Sequence, residues 1–220
     1  MASDPQVHLE TMDPRRVDEA VLLLVESFRE DPIQRWCFLA DRSGFEDRLR
    51  SYFAAGHEWH AGVGEPIHAA FVGGELAGLL YFLRPGANFN QESFEKLRAR
   101  LEVDCGSEAS ERFFHFGETM DEHVPEGDIH ILSIVGVRPE FRGRGVGGRL
   151  VDVVGEACDA HISSRGVGLD TSTDRNTGFY GRHGYEVIAE EAIGPVRQRY
   201  LFRTRTTSSL QDEHTARSRE

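Results

Sequence analysis

Hydrophobic and polar positions alternate with two different periods along the first half of the chain. From Val7 to Met12 apolar and polar residues alternate singly, the period of a short strand. Asp13-Pro14 then supplies an N-cap and a first-turn proline. Behind it Val17, Ala20, Val21, Leu24, Val25 and Phe28 fall at i, i+3, i+4, i+7, i+8 and i+11, one full helical stripe. Asp31-Pro32 breaks that helix. A second helical piece is expected around Trp36, Cys37 and Leu39, and a third from about Phe45 to Trp59. Two apolar runs, Ile67 to Val72 and Glu75 to Leu83, are joined by Gly73-Gly74, which predicts a hairpin. Between Arg84-Pro85-Gly86 and Gly127 the period is helical again. Phe94, Leu97 and Leu101 mark one helix; Phe113, Phe116, Met120 and Val124 mark another.

The second half reads differently. Ile129 to Val137 is a nearly continuous apolar run, the pattern of a strand buried on both faces. A glycine-rich turn from Arg142 to Gly148 leads into a helix carrying Val146, Leu150, Val153, Val154 and Ala157. Gly166 to Thr171 is a further buried strand, so that residues 129–171 form a βαβ unit, right-handed almost by rule. A short helix around Asn176 to His183 and strands near Tyr185 to Ile193 and Gln198 to Phe202 complete the pattern. No internal repeat is evident. Residues 204–220 hold one large apolar side chain, Leu210, and are expected to be a disordered tail.

Composition narrows the function. The chain has 220 residues, 39% of them hydrophobic and 28% charged, enough for a sizeable core. Its formal charge of −12 disfavours partners built on phosphate backbones or anionic lipid, so neither nucleic acid nor a membrane is expected. The 25 basic residues include a single lysine, Lys96, which reads as coding bias. Cys37, Cys105 and Cys158 are dispersed, odd in number and without metal-ligand spacing, so no disulfide framework and no metal site are expected. With no apolar run of spanning length and no signal pattern in the first residues, a cytoplasmic location is the expectation.

The segment Arg142-Gly143-Arg144-Gly145-Val146-Gly147-Gly148 admits three readings. It can cradle an anion on main-chain N–H groups at a helix N-terminus. It can be a dinucleotide fingerprint, since Gly143, Gly145 and Gly148 match G-x-G-x-x-G. It can also be a plain tight turn. The fingerprint fits poorly: Arg138 to Arg142 intervene between strand and glycines, and the unit begins too late in the chain for the remaining parallel strands. No Lys-Ser or Lys-Thr follows, which removes a P-loop.

The stretch IVGVRPEFRGRGVGGRL closely resembles the coenzyme A loop of the GNAT (Gcn5-related) N-acetyltransferases, with Arg142, Gly145 and Gly147 at the signature places of Arg/Gln-x-x-Gly-x-Gly/Ala. Downstream, Asn176-x-x-Phe179-Tyr180-x-x-x-Gly184-Tyr185 resembles the second mark of the family. The resemblance covers residues 127–203 closely and the N-terminal half more loosely. The helical insert and the sequence DTSTDRNTGFYGRHGY give it the flavour of the puromycin-acetyltransferase-like branch.

The resemblance implies a mixed α+β fold: a central twisted sheet of about six to seven strands flanked by helices and splayed at its central strand to admit acyl-CoA. It implies one GNAT domain over residues 1–203 with a helical insert at about 86–126. It further implies an N-acetyltransferase that moves an acetyl group from acetyl-CoA to a primary amine of a small molecule by direct attack in a ternary complex. A non-catalytic acyl-CoA-binding module and a protein or peptide N-acetyltransferase are the alternatives, and a homodimer is the default assembly. Val135, Gly136 and Val137 would meet the pantetheine arm. Main-chain N–H groups from Arg142 through Gly143, Arg144, Gly145, Val146 and Gly147 would hold the pyrophosphate, and Asn176 would contact the arm or cap its helix. Tyr180 would be the general acid toward the leaving thiolate. Ile131 stands where several branches carry the base; Glu118 or His130 is the first candidate for that role, with Asp128, Glu122, a relay through Ser133 and water alone as alternatives. Asp31, Trp36 and Phe82 are the candidates for the acceptor pocket.

Overall fold

The computed structural model describes residues 6–87 and 91–206. The chain runs β1 (Val7–Thr11), α1 (Val17–Phe28), α2 (Pro32–Cys37), α3 (Phe45–Val63), β2 (His68–Val72), β3 (Glu75–Leu83), α4 (Gln91–Cys105) and α5 (Ser107–Asp121). It continues through β4 (Ile129–Val137), α6 (Val146–Ala160), β5 (Gly166–Thr171), α7 (Asp174–Gly181), β6 (Glu186–Ile193) and β7 (Val196–Thr204). The seven strands form one sheet in the order β1-β2-β3-β4-β5-β7-β6, antiparallel at every neighbour except the parallel pair β4–β5. This is the mixed sheet expected from the sequence, with β4 and β5 at their anticipated limits. The tail beyond residue 206 lies outside the described residues.

Two cores clamp the sheet. On one face Leu23, Leu24, Phe38, Phe53 and Tyr81 pack with α1–α5; on the other Leu150, Val154, Val167 and Leu201 pack with α6. Gly136 lets α1 lie close against β4: a Cβ there would stand 3.0 Å from Leu24 and 3.2 Å from Leu23.

Local differences from the sequence reading have local causes. Asp13 accepts the Arg15 main-chain N–H at 2.9 Å in a turn of its own, so α1 starts at Val17 instead of beside Pro14. Asn176 does not cap α7, because Thr173 does; its hydroxyl oxygen accepts the Asn176 N–H at 3.2 Å. The β3–β4 register shifts between Tyr81 and Phe82, where Tyr81 pairs with Ile134 and Phe82 with Leu132, leaving Ser133 as the bulged residue. The second half of β4 is therefore not buried on both faces. Ser133 is exposed, and Ile134, Val135 and Val137 are only half-buried.

Candidate active site

β4 and β5 stay together for three residues and then part. Ile129, His130 and Ile131 pair with Gly166, Val167 and Gly168; beyond them β4 runs on to Val137 and β5 to Thr171 without pairing to each other. β3 and β7 still hold the outer edges of these two strands, so the sheet opens as a V at its centre.

The V holds two connected cavities. The outer one, about 530 Å³, runs between the end of β4, the glycine turn and α7. The inner one, about 100 Å³, lies deeper, between Ser133, Asp170, Gln198 and the aromatic side chains of α1 and α3. Phe28, Asp31, Val135, Asn176 and Tyr180 line both and form the neck between them.

The glycine turn has the backbone a cradle needs. Gly143 and Gly145 sit at φ +78° and +80°, in the left-handed region that other residues rarely adopt. Gly145 is the N-cap of α6, and no side chain caps that helix. The first intrahelical bond runs from Arg149 N–H to Gly145 at 3.0 Å, so the N–H groups of Val146, Gly147 and Gly148 have no partner within the helix. Gly143, Gly145, Val146 and Gly147 line the outer cavity, and a Cβ at Gly147 would contact Phe179 at 3.5 Å. Residues of this shape fit an anionic pyrophosphate held mainly by main chain.

Cations ring the same cavity. Arg142, Arg175 and Arg182 line it, the last two without a signal in the sequence motif. The Arg142 guanidinium donates to the carbonyls of Ser27 (2.9 Å) and Val137 (3.2 Å), spanning from α1 to the end of β4. Its pKa is lowered by partial burial and by the like charge of Arg175. Arg144 stays outside the lining, with its guanidinium over the Phe141 ring at 5.6 Å.

At the neck, Tyr180 is 7% exposed, and burial pushes its phenol well above the ordinary tyrosine range, helped by Tyr185 and Asp170. It is therefore a neutral O–H donor at any physiological pH. Asp31 caps α2, accepting the N–H groups of Ile33 (3.1 Å) and Gln34 (3.2 Å), and its second oxygen accepts the Ser172 hydroxyl at 3.4 Å. Burial raises its pKa against those hydrogen bonds.

The structure brings some of the anticipated residues to the cleft and not others. Val135, Val137 and Asn176 line it, while Gly136 faces α1. Neither candidate base reaches it. Glu118 is exposed on α5 and paired with Arg98 at 3.2 Å. His130 points to the α6 face, fully buried, with Nδ1 2.9 Å from the Ser164 hydroxyl. Desolvation and the neighbouring His161 lower its pKa to about 4. Of the acceptor candidates only Asp31 lines the cavities. Phe82 packs on the α6 face against His68, and Trp36 sits under Gly194 with Arg112 over its ring. Strand alternation explains Phe82, because Tyr81 before it takes the other face.

The residue that sequence reasoning passed over is Asp170. It ends the apolar run Gly166-Val167-Gly168-Leu169, lines the inner cavity, and accepts a hydrogen bond from Gln198 Nε2 at 2.5 Å. Burial raises its pKa to about 7; the Gln198 bond opposes this, and Asp31 and Asp121 add to it. Its one local signal is a carboxylate at the end of an otherwise apolar strand, which composition alone does not single out.

Residues 111–187 match the family model described as an acetyltransferase (GNAT) domain. The fold is shared with a histone acetyltransferase HPA2-related acetyltransferase of Corynebacterium glutamicum, at 20% identity and TM-score 0.68 over 94% of this chain and 99% of that one. It is also shared with arylalkylamine N-acetyltransferase 2 of Aedes aegypti, at 14% identity and TM-score 0.62 over 91% of this chain and 100% of that one. A third similar structure is a Drosophila melanogaster polyamine N-acetyltransferase, at 16% identity and TM-score 0.55 over 90% and 98%. No curated protein matches the chain. No helix among the described residues is long and apolar enough to cross a membrane, and no group of metal-ligating side chains occurs among them.

Proposed function

We propose that the protein transfers an acetyl group from acetyl-CoA to the primary amine of a small molecule, by direct attack in a ternary complex. The observation that carries this reading is the neck, where Tyr180 lines both the cavity beside the glycine turn and the recess beyond it. Acetyl-CoA supplies the activated acetyl thioester. The N–H groups at the start of α6 and the guanidinium groups of Arg142, Arg175 and Arg182 would hold its phosphates. The unpaired edge of β4 from Ser133 to Val137 would meet its extended arm as an added strand does. Tyr180, neutral and buried at the neck, donates a proton to the departing sulfur.

A covalent acetyl-cysteine finds no support. Cys37, Cys105 and Cys158 are all buried, and burial pushes the Cys37 thiol up to about 12 and the Cys105 thiol up to about 11. The small inner recess favours a small-molecule amine over a peptide segment as acceptor. The retained tyrosine at the neck argues against a binding module without turnover.

The test is ligand-dependent stability followed by turnover. At a hundred times its dissociation constant acetyl-CoA should add about 2.7 kcal/mol, a Tm rise of several degrees, whereas NAD should add nothing. Thiol release should then require both acetyl-CoA and an amine. Stabilisation by NAD and not by acetyl-CoA would overturn the proposal, as would acetyl-CoA binding with no amine-dependent release across a broad amine panel.

A further inference from the structure

We infer that the inner cavity receives the ammonium end of a cationic amine that carries no carboxylate, and that the Asp170 carboxylate takes the proton this ammonium loses before attack. The inference rests on the acetyltransferase reading and adds to it the acceptor class and the base.

The cavity is an array of hydrogen-bond acceptors without a matching cation. Two carboxylates, Asp31 and Asp170, line it, and no Lys, Arg or His does. Gln34 and Gln198 line it as well, 9% and 0% exposed, and Oε1 of each has no hydrogen-bond partner. A buried amide oxygen left without a donor costs free energy that a bound N–H would recover. An ammonium brings donors to the two unpartnered amide oxygens and a positive charge to two carboxylates that no cation in the cavity lining pairs. A ligand carboxylate in the same place would face two acidic side chains with no guanidinium or ammonium to pair it, which is the repulsive element that separates an amine from its parent amino acid.

The walls suit the rest of such a ligand. Phe28, Tyr52, Phe53 and Phe116 line the cavity, with Phe28 and Tyr52 each packed against Phe53 at centroid distances of 5.5 and 4.8 Å. Their faces attract a cation and accept an apolar arm.

Asp170 is set for proton transfer by every element around it. Gln198 on β7 fixes one carboxylate oxygen. Asp31 at the start of α2 and Asp121 at the end of α5 oppose its charge, and Cys37, Tyr52, Tyr180 and Tyr200 on α2, α3, α7 and β7 are neutral neighbours. Titration near 7 is the range in which a carboxylate both exists as the anion and accepts a proton readily. The ammonium gives one proton to Asp170 and becomes the amine, whose lone pair forms the new N–C bond to the acetyl carbonyl as the C–S bond breaks. Tyr180 gives its proton to the sulfur, the second nitrogen proton, lost as the amide forms, replaces it on Tyr180, and the proton on Asp170 returns to solvent.

The experiment compares phenethylamine with phenylalanine. Binding of each to the CoA-saturated protein is measured by calorimetry at pH 7.5, and kcat/KM of each with acetyl-CoA is measured from pH 5.5 to 9. The expected result is at least tenfold tighter binding and faster turnover for the amine. Activity should rise through about pH 7, and Asp170→Asn should lose this limb and a hundredfold or more of kcat while keeping the wild-type Kd for acetyl-CoA. Equal or stronger use of phenylalanine overturns the inference, as does an intact pH limb in Asp170→Asn. Acetyl-CoA binding without any phenethylamine binding also overturns it and leaves the acetyltransferase reading standing. Failure to bind acetyl-CoA removes both. The amine-against-amino-acid comparison uses the wild-type protein and so does not depend on how well the variant folds.

Discussion

Asp170 should cost the fold stability in proportion to its ionisation, and Asp170→Asn should recover it. Its pKa is raised from 3.8 to about 7, so the native state favours the protonated acid. The unfolded chain ionises near 3.8. Below that value both states are protonated, and no penalty exists. As pH rises from about 4 to 7 the unfolded state gains charge that the native state resists, and stability falls. Linkage puts the loss at about 1.7 kcal/mol at pH 5 and about 4 kcal/mol at pH 8, taking a 3.8-to-7 displacement as order of magnitude. Asparagine keeps an oxygen that can accept the Gln198 Nε2–H and carries no charge at either pH. The stability of Asp170→Asn relative to wild type should therefore improve by roughly 2.5 kcal/mol between pH 5 and pH 8. Urea melts of both proteins at those two pH values, without ligand, measure it directly. A stability difference that stays the same at pH 5 and 8, or shrinks on going up, would refute the claim that the carboxylate is held in a low-dielectric recess. A gain in stability paired with a loss of turnover is the exchange expected where a site holds a group against its solvation.

Tyr180→Phe should lower kcat by about a hundredfold or more with the Kd for acetyl-CoA unchanged, on the usual scale for a general acid; full activity in a steady-state assay would remove Tyr180 from the chemistry. Gly145→Asp should abolish acetyl-CoA binding in calorimetry, since a side chain at φ +80° is strained and its charge opposes a phosphate. Wild-type affinity in that variant would mean that the turn is only scaffold. Glu118→Gln should leave kcat and KM within twofold of wild type and cost at most about 1 kcal/mol in Tm-derived stability, because it removes one exposed ion pair to Arg98.

Much of the fold was legible because it is written in local periods. The α1 stripe, the Gly73-Gly74 hairpin and the apolar runs of β4 and β5 each lie within one element, and the limits read for β4 and β5 are the limits observed. The glycine turn was legible for the same reason. The deep half of the candidate site was not. Asp170, Gln198 and Gln34 come from three different elements, β5, β7 and α2, and meet only where β4 parts from β5. Nothing adjacent to Gln198 in sequence marks it. The Ser133 bulge also misleads a period-two reading, since it moves Ile134 to the face opposite Leu132. His130 and Glu118 were drawn by their chemistry from positions whose neighbours in space turn out to be Ser164 and Arg98.

The parting of β4 and β5 gives the sheet an edge in its middle. Each strand keeps one partner, β3 or β7, and past Ile131 and Gly168 each turns one row of main-chain groups toward the gap. An outer edge so exposed invites other chains to add to it. This one is walled by α1, α6 and α7 and admits only something as slender as a single extended arm. Amide exchange carries the consequence. The gap-facing N–H groups from Ser133 to Val137 should exchange like those of a frayed edge, although β4 is the middle strand of the sheet order. On filling of the gap they should slow more than any others in the protein.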